Sequence, residues 1–343
     1  MTLNNSDEEF REPPASLPEN WQENLFFILW DTETLNGFMM HIQRVPCQQI
    51  QEARIVVRAS GTTASATLTG AYRPDRAVDG VAVEILDAFR DLAVQMEFGG
   101  ALGFGPHGFV ATRSGGDVPV SVDVRLTSGL EPVDFADGLA VMTSQLRDDH
   151  AAPQMGDQAH YEQGGRWSGR LRIGDDEIIG GGLFVRDHSW GIRHEHNDFR
   201  AFWTATSLDE GEIFCNAIGI PRGDGIVGIG AISDSRGVRF THEVSARFSP
   251  EPGLRSYDQS EVRYGREIDL VVKGETQQHW PFQLPFSGSN RYDNNAISRA
   301  WVNGYQGFSV MEWAATLPSE QIADLDAEAL LVDRDNRVDD ERS

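Results

Sequence analysis

The chain has 343 residues, of which 40% are hydrophobic, and its formal net charge at pH 7 is −24. This length suits two domains or one large all-β domain rather than one small domain. Because a strongly acidic surface repels phosphate groups and anionic lipid headgroups, we expect binding neither to nucleic acid nor to a membrane surface. An acid excess is also a common means of keeping a protein soluble.

The cysteines and the N-terminal residues indicate the cellular compartment. Cys47 and Cys215 lie far apart without CxxC spacing, so the sequence predicts neither a disulfide framework nor a zinc cluster. The first residues, MTLNNSDEEFREPP, lack the basic and apolar regions of a signal peptide. No later segment is apolar over the length of a transmembrane helix. We therefore predict a cytoplasmic protein that is neither exported nor membrane-spanning.

The dominant pattern along the chain is alternation of apolar and polar residues. Residues 1–18 are acidic and rich in proline, which predicts a disordered lead-in. Beyond them, short alternating runs such as ARIVVRAS, VPVSVDVRL and RAFWTATSL are separated by Gly, Pro, Asp or Asn about every ten residues. Many short strands with evenly spaced turns predict an all-β fold, an antiparallel sandwich or barrel.

Two segments decide how this pattern divides into elements and domains. VAVEILDAFRDLAVQMEF would fit a helix, but we predict two strands broken at DAFRD. Residues 144–158 are polar, contain Pro and Gly, and predict an inter-domain linker. The predicted domains are residues 19–150 and residues 151–317, with a similar number of strands in each, followed by an acidic tail at residues 318–343.

Ionisable residues are concentrated in GLFVRDHSWGIRHEH, residues 182–196, directly after an apolar run. If the strand ends at Val185, then Arg186, Asp187 and His188 lie on its rim, where functional groups gather in β-barrels. Within a continuing strand, adjacent residues would point to opposite faces and would not pair.

The neighbours of this trio suggest two interpretations. Trp190 would supply an apolar wall, and Arg186 or Arg193 would hold a carboxylate. Alternatively, the same polar side chains tie down a loop by hydrogen bonds. Two further features favour a functional site: His160, Tyr161 and Glu162 precede the region in HYEQGGRW, and Glu312 interrupts an apolar strand, where an unpaired carboxylate is costly.

A metal site is the next alternative. His188, His194 and His196 have H-x5-H-x-H spacing, and imidazoles with a carboxylate suit zinc or non-haem iron. RHEHND also reads as a charged turn in solvent, and we predict no metal. The sequence lacks a G-x-S-x-G elbow, so we predict no serine nucleophile, and it lacks a glycine-rich phosphate loop between a strand and a helix, so we predict no nucleotide.

GGLFVRDHSWGIR resembles the RDHSWG-type signature of a lipocalin-like family related to hydroxyneurosporene synthase, the carotenoid hydratase, whose corresponding stretch has the form D-H-x-W-G. ENWQENLFFILWDTE, HYEQGGRWSG and GYQGFSVMEWA resemble other landmarks of that family in the same order, so the resemblance covers about residues 21–316. It implies two consecutive lipocalin-like antiparallel β-barrels. It also implies cofactor-independent hydration or dehydration, cyclisation or isomerisation of a hydrophobic unsaturated substrate, such as a terpenoid, steroid or polyketide-like molecule.

The resemblance also implies a set of site residues: Asp187, His188, Trp190 and Gly191, together with Arg186, Glu162 and Glu312. From the chemistry of these residues we expect Asp187 to be an acid kept protonated by burial, with His188 positioning it, and Glu312 or Glu162 to activate the attacking water. The predicted substrate-binding residues are Trp190, Arg186, Arg193, Trp30, Trp313 and Tyr161. The alternative function is a non-catalytic lipocalin-like protein that binds a hydrophobic small molecule. The sequence leaves the substrate and the oligomeric state open.

Overall fold

The computed structural model describes residues 3–103, 116–135, 158–192, 200–222, 225–249, 258–266, 268–280, 282–284 and 291–316. Within these ranges the chain is nearly all β and forms two barrel-shaped sheets, one closed and one nearly closed. The predicted fold class, two consecutive lipocalin-like β-barrels, is confirmed. In the described ranges we find no helix with the length and apolar character needed to cross a membrane.

The first sheet closes on itself because its last strand pairs both with β1 and with β9. Its strands are β1 (Trp21–Asp31), β2 (Asn36–Val45), β3 (Ile50–Ala59), β4 (Thr62–Ala71), β5 (Val81–Asp87), β6 (Asp91–Leu102), β7 (Val118–Thr127), β8 (Val133–Asp134), β9 (Gln158–Ile173) and β10 (Asp176–Ile192). The two strands predicted from VAVEILDAFRDLAVQMEF are present as β5 and β6. Although β9 and β10 fall in the second predicted domain, they pair with strands of the first sheet.

The second sheet runs in the order β14-β13-β12-β11-β20-β19-β17-β16-β15, with β18 paired to β19. Its strands are β11 (Arg200–Leu208), β12 (Ile213–Arg222), β13 (Gly225–Asp234), β14 (Gly237–Thr241), β15 (Val244–Ser249), β16 (Gln259–Tyr264), β17 (Leu270–His279), β18 (Phe282–Leu284), β19 (Arg291–Val302) and β20 (Tyr305–Thr316). Short 3-10 helical turns lie at Asn5–Glu8, Pro46–Gln48 and Asp209–Gly211. The predicted tail, residues 318–343, lies outside the described residues.

Buried apolar side chains form three clusters: one inside each barrel and one between the barrels. β1 contributes to two of them, because Phe27 points into the first barrel and Phe26, on the opposite face, points towards the second barrel. Its continuous apolar run, rather than strict alternation, follows from burial of both faces. The layer between the barrels is therefore a second core rather than a solvent-exposed surface.

Strand β10 continues past Val185 to Ile192, so the condition under which Arg186, Asp187 and His188 would lie on a strand rim is not met. The ionisable residues remain in the strand because β1 and β9 flank it on both sides and pair with this segment throughout. Asp187 consequently shares the face of Val185, towards the second barrel, whereas His188 shares the face of Phe184, inside the first barrel.

Candidate active site

Three ionisable side chains meet on the face of the first sheet that contacts the second barrel. Glu162 in β9 is the direct cross-strand partner of Asp187 in β10, and His160 lies two residues before Glu162, on the same face. The Nε2 atom of His160 is 2.7 Å from a carboxylate oxygen of Asp187 and 3.0 Å from one of Glu162. The β9–β10 register thus places one imidazole between two carboxylates.

The second barrel holds Glu162 in place. The indole Nε1 of Trp203 in β11 donates a hydrogen bond of 2.6 Å to one carboxylate oxygen, and Nδ2 of Asn216 in β12 donates one of 2.7 Å to the other. The Glu162 side chain is fully buried. Gly164, on the same face of β9, lets the barrels approach, because a Cβ there would lie 2.6 Å from the ring of Phe214.

Aromatic rings surround this polar group. The ring of Phe135 stacks on His160 with centroids 5.4 Å apart, and Phe26 lies 5.8 Å from Trp203. The side chains of His160 and Asp187 keep 12% and 16% of their surface exposed, whereas Glu162 has none. A bound molecule can therefore reach Asp187 and part of the His160 side chain, whereas the Nε2 atom of His160 is buried between the two carboxylates and Glu162 is fully buried.

The surroundings change the acidity of these groups. Burial by itself would lower the pKa of His160, but the negative charges of Asp187 and then Glu162 outweigh it and raise the pKa to about 10. Burial raises the pKa of Glu162, an effect opposed by its contacts with His160 and Asn216. The imidazole is thus held as a cation at neutral pH.

This pKa predicts how stability depends on pH. Because folding raises the pKa of His160 from 6.5 to about 10, its charge stabilises the fold fully below pH 6.5 and progressively less as the pH rises towards 10. We expect the difference in unfolding free energy between the wild type and His160→Gln to shrink over that interval in urea titrations. The same substitution at His242, an exposed histidine, should leave the pH profile as in the wild type. A constant difference across the interval would contradict the assignment.

The same three residues also form a set of metal ligands. One potential ligand atom from each of His160, Glu162 and Asp187 lies within 4.8 Å of the other two. Among the described residues, this is the cluster of His, Cys, Asp or Glu side chains that could hold a metal ion. Imidazole with carboxylates suits zinc or iron, but the metal would have to displace the proton of His160. The other predicted ligands, His194 and His196, lie outside the described residues.

The structure places His188 away from Asp187, in a buried polar network inside the first barrel. Its Nε2 is 2.8 Å from a carboxylate oxygen of Glu23, and its Nδ1 is 3.2 Å from the hydroxyl of Tyr161. That hydroxyl donates a hydrogen bond of 2.9 Å to Glu8. His188 and Tyr161 therefore belong to a hydrogen-bond network inside the first barrel and not to the cluster around His160.

Arg186 and Trp190 lie on the same side as His188. The guanidinium of Arg186 contacts Glu8 and Gln163, each at 2.6 Å, and Arg11 lies 4.7 Å above the ring of Trp190. The segment predicted as a disordered lead-in thus supplies a helical turn with buried Glu8, which pairs with the barrel interior.

The remaining predicted residues have different positions. Glu312 in β20 is the cross-strand partner of Trp203, on the face towards the first barrel. Trp30 lies in the cluster between the barrels, with its ring 5.4 Å from Trp280. Trp313 lies opposite Phe202, and its side chain, like all of Arg193, lies outside the described part of the chain.

Sequence reasoning noted His160 without giving it a role, and it missed Trp203 and Asn216. One available signal was the two-residue turn between Ile173 and Asp176, which fixes the register of a long hairpin. Counting eleven residues away from the turn on each side gives Glu162 and Asp187 as partners. The second-barrel residues carry no comparable signal in the sequence.

Solved structures with a similar fold cover most of the chain. A putative AttH from Nitrosomonas europaea has a TM-score of 0.58 at 15% identity, over 87% of this chain and 92% of that chain. Kievitone hydratase from Nectria haematococca has a TM-score of 0.53 at 10% identity, over 88% and 90%. At these identities the likeness shows the shared fold.

Sequence comparisons assign the family. No curated protein matches the chain. One family profile, described as Domain of unknown function (DUF7064), matches residues 5–316, which include both barrels and every member of the His160 cluster. The chain belongs to the DUF7064 family.

Proposed function

We propose that this protein is a cofactor-independent acid–base enzyme that adds or removes water, or cyclises or isomerises, a hydrophobic unsaturated small molecule. The observation that carries the proposal is the contact of 2.7 Å between Nε2 of His160 and the carboxylate of Asp187 in an apolar layer. It pairs a proton acceptor with a charged proton donor on two partly exposed side chains, and the Nε2 atom itself is buried at their contact. General acid–base catalysis needs such a pair within reach of one substrate.

Removal of water illustrates how the pair would work. The Asp187 carboxylate takes a proton from a carbon atom, and the electrons of that C–H bond form the C=C bond. The C–O bond of the neighbouring carbon breaks, and the imidazolium of His160 protonates the departing oxygen, which leaves as water. A proton transfer from Asp187 to His160 across their contact then restores both groups. Hydration is the same sequence in reverse, and isomerisation uses the two proton transfers without loss of water.

Glu162 acts in this scheme as a positioning residue. Its carboxylate accepts hydrogen bonds from Trp203 and Asn216 and lies beside His160 without being exposed. It therefore keeps His160 oriented and charged between turnovers. The aromatic and aliphatic side chains of the inter-barrel cluster favour an apolar substrate.

The fold comparison supports the class of reaction. A protein named kievitone hydratase has a similar fold over most of both chains. The resemblance to the carotenoid hydratase signature, the cytoplasmic location and the identity of the substrate stay predictions. A hydrophobic small molecule is the proposed partner.

The proposal predicts conversion in a mixture of hydrophobic metabolites. An organic extract of the native host is incubated with the protein in D2O and analysed by untargeted mass spectrometry. We expect at least one compound to gain or lose a water, or to gain carbon-bound deuterium, with the wild type and not with His160→Gln, which cannot act as an acid.

The metabolite experiment also includes a control variant and two outcomes that would contradict the proposed enzyme. His242→Gln, at an exposed histidine, should convert the same compounds as the wild type. If a compound co-purifies with the protein but none is converted, the protein is a binding protein rather than an enzyme. If conversion disappears after dialysis against a chelator and returns with zinc or iron, metal-dependent chemistry replaces the proposed proton transfers.

A further inference from the structure

Two buried polar side chains between the barrels have hydrogen-bonding atoms without a partner among the described residues. Both amide atoms of Asn295, Nδ2 and Oδ1, lack a hydrogen bond, and so does the indole Nε1 of Trp280. Both residues are fully buried. Burial of an unpaired amide is costly and rare in folded proteins, so such a group calls for a binding partner that completes it.

These residues are neighbours on the wall that faces the first barrel. The backbone N–H of Trp280 donates a hydrogen bond of 2.8 Å to the carbonyl oxygen of Asn295. Trp280 belongs to the inter-barrel cluster, and Asn295 shares the strand face of Ile297, another member. The three unpaired groups therefore belong to one region of the inter-barrel layer.

The same region adjoins the proposed active site. Asn295 is the cross-strand partner of Glu312, and Glu312 is the cross-strand partner of Trp203, which donates to Glu162. Since neighbouring strands lie about 4.8 Å apart, Asn295 is on the order of 10 Å from Trp203 across the sheet. A ligand that reaches both places is elongated.

The unpaired atoms indicate which chemical group of a ligand would bind to them. Asn295 Nδ2 and Trp280 Nε1 are donors, and Asn295 Oδ1 is an acceptor. A hydroxyl group accepts two hydrogen bonds and donates one, which matches the two donors and one acceptor of these atoms. A carboxylate or a ketone has no proton for Oδ1.

We infer that Asn295 and Trp280 form a subsite for a hydroxyl group of the substrate, on the order of 10 Å from the Trp203 side of the acid–base site. This inference rests on the proposed function, since it takes the molecule bound there to be the substrate of the Asp187–His160 pair. The substrate is then an elongated hydrophobic alcohol, with unsaturation at one end and a hydroxyl at the other.

The ligand-free protein provides the first test. Asn295→Leu removes an unpaired amide and keeps its size, so it should raise the midpoint of thermal unfolding. Asn216→Leu, the matched change on the same sheet, removes a hydrogen bond to Glu162 and should lower the midpoint. If Asn295→Leu lowers the midpoint as much as Asn216→Leu does, the amide has a structural role and the subsite is refuted.

Binding provides the second test, with farnesol and the matching hydrocarbon without the hydroxyl as probes in calorimetry. The wild type should prefer farnesol, and Asn295→Leu should weaken farnesol binding about tenfold while leaving the hydrocarbon unaffected. Trp280→Phe, which removes the N–H donor together with part of the buried ring, should reduce the preference for farnesol over the hydrocarbon to a smaller degree.

The outcomes separate this inference from the proposed function. Equal affinity of the wild type for the two probes, or no binding of either, overturns the hydroxyl subsite. Preference for farnesol that survives both substitutions overturns the assignment to these residues. Preference that depends on Asn295, without any conversion in the metabolite experiment, keeps the subsite and rejects the enzyme.

Discussion

Asp187→Asn is expected to reduce turnover of an identified substrate by about 100- to 10,000-fold, the usual contribution of one general acid or base. The amide has the size of the carboxyl group but neither accepts the substrate proton nor passes one to His160. It also removes the largest charge that raises the pKa of His160, so the pKa of that imidazole should fall. The measurement is the initial rate at saturating substrate.

Two comparisons make this result specific. Asp176→Asn is the same substitution on the same strand, at an exposed position hydrogen-bonded to Thr62, and it should retain wild-type turnover. Substrate affinity of Asp187→Asn should change much less than turnover if the carboxylate acts mainly in the transition state. Full activity of Asp187→Asn would remove Asp187 from the chemistry altogether.

Among the substitutions proposed for this protein, Arg186→Met is expected to lower the free energy of unfolding most, by about 3–5 kcal/mol. The substitution leaves the carboxylate of Glu8 and the amide of Gln163 buried without the guanidinium that binds both. Chemical denaturation should show this loss, and conversion per folded molecule should stay close to that of the wild type, because Arg186 points into the first barrel.

The exposed pair of Arg166 and Glu210 offers the matched control. Arg166→Met removes the same type of side chain from a solvent-exposed ion pair and should cost about 0–1 kcal/mol. Combining Arg186→Met with Glu8→Gln should recover part of the loss, since no unpaired charge then remains in the barrel. If Arg186→Met unfolds like the wild type but no longer binds ligand, Arg186 holds the substrate, as the sequence suggested.

Most of the strands could be predicted because burial on one face leaves a period of two in the sequence. The alternation in DLAVQMEF follows directly from a strand with one buried and one more exposed face, which is β6. The apolar run NLFFILW in β1 has no such alternation, since both of its faces are covered. Local composition was misleading at β10. Its charged residues remain in a strand because β1 and β9 pair with the backbone of this segment on both sides.

The site itself was only partly predictable. Glu162 and Asp187 were both expected, and they lie opposite each other because a short hairpin turn sets their register. The donors to Glu162 lie 41 and 54 residues away in sequence and reach it only when the barrels pack together. No periodicity encodes that packing. The partner of Glu8 is likewise 178 residues away, so the acidic composition of the N-terminal segment suggested disorder instead.

The hydrogen bonds from Trp203 and Asn216 to Glu162 have an evolutionary consequence. A chimaera that inherits its first barrel from one relative and its second barrel from another keeps two intact halves but separates residue 162 from residues 203 and 216. Such a hybrid would hold Glu162 in place only if residues 203 and 216 of its second barrel can donate hydrogen bonds to residue 162 of its first. We therefore expect exchange of a barrel between relatives to preserve activity only where these three residues remain able to pair.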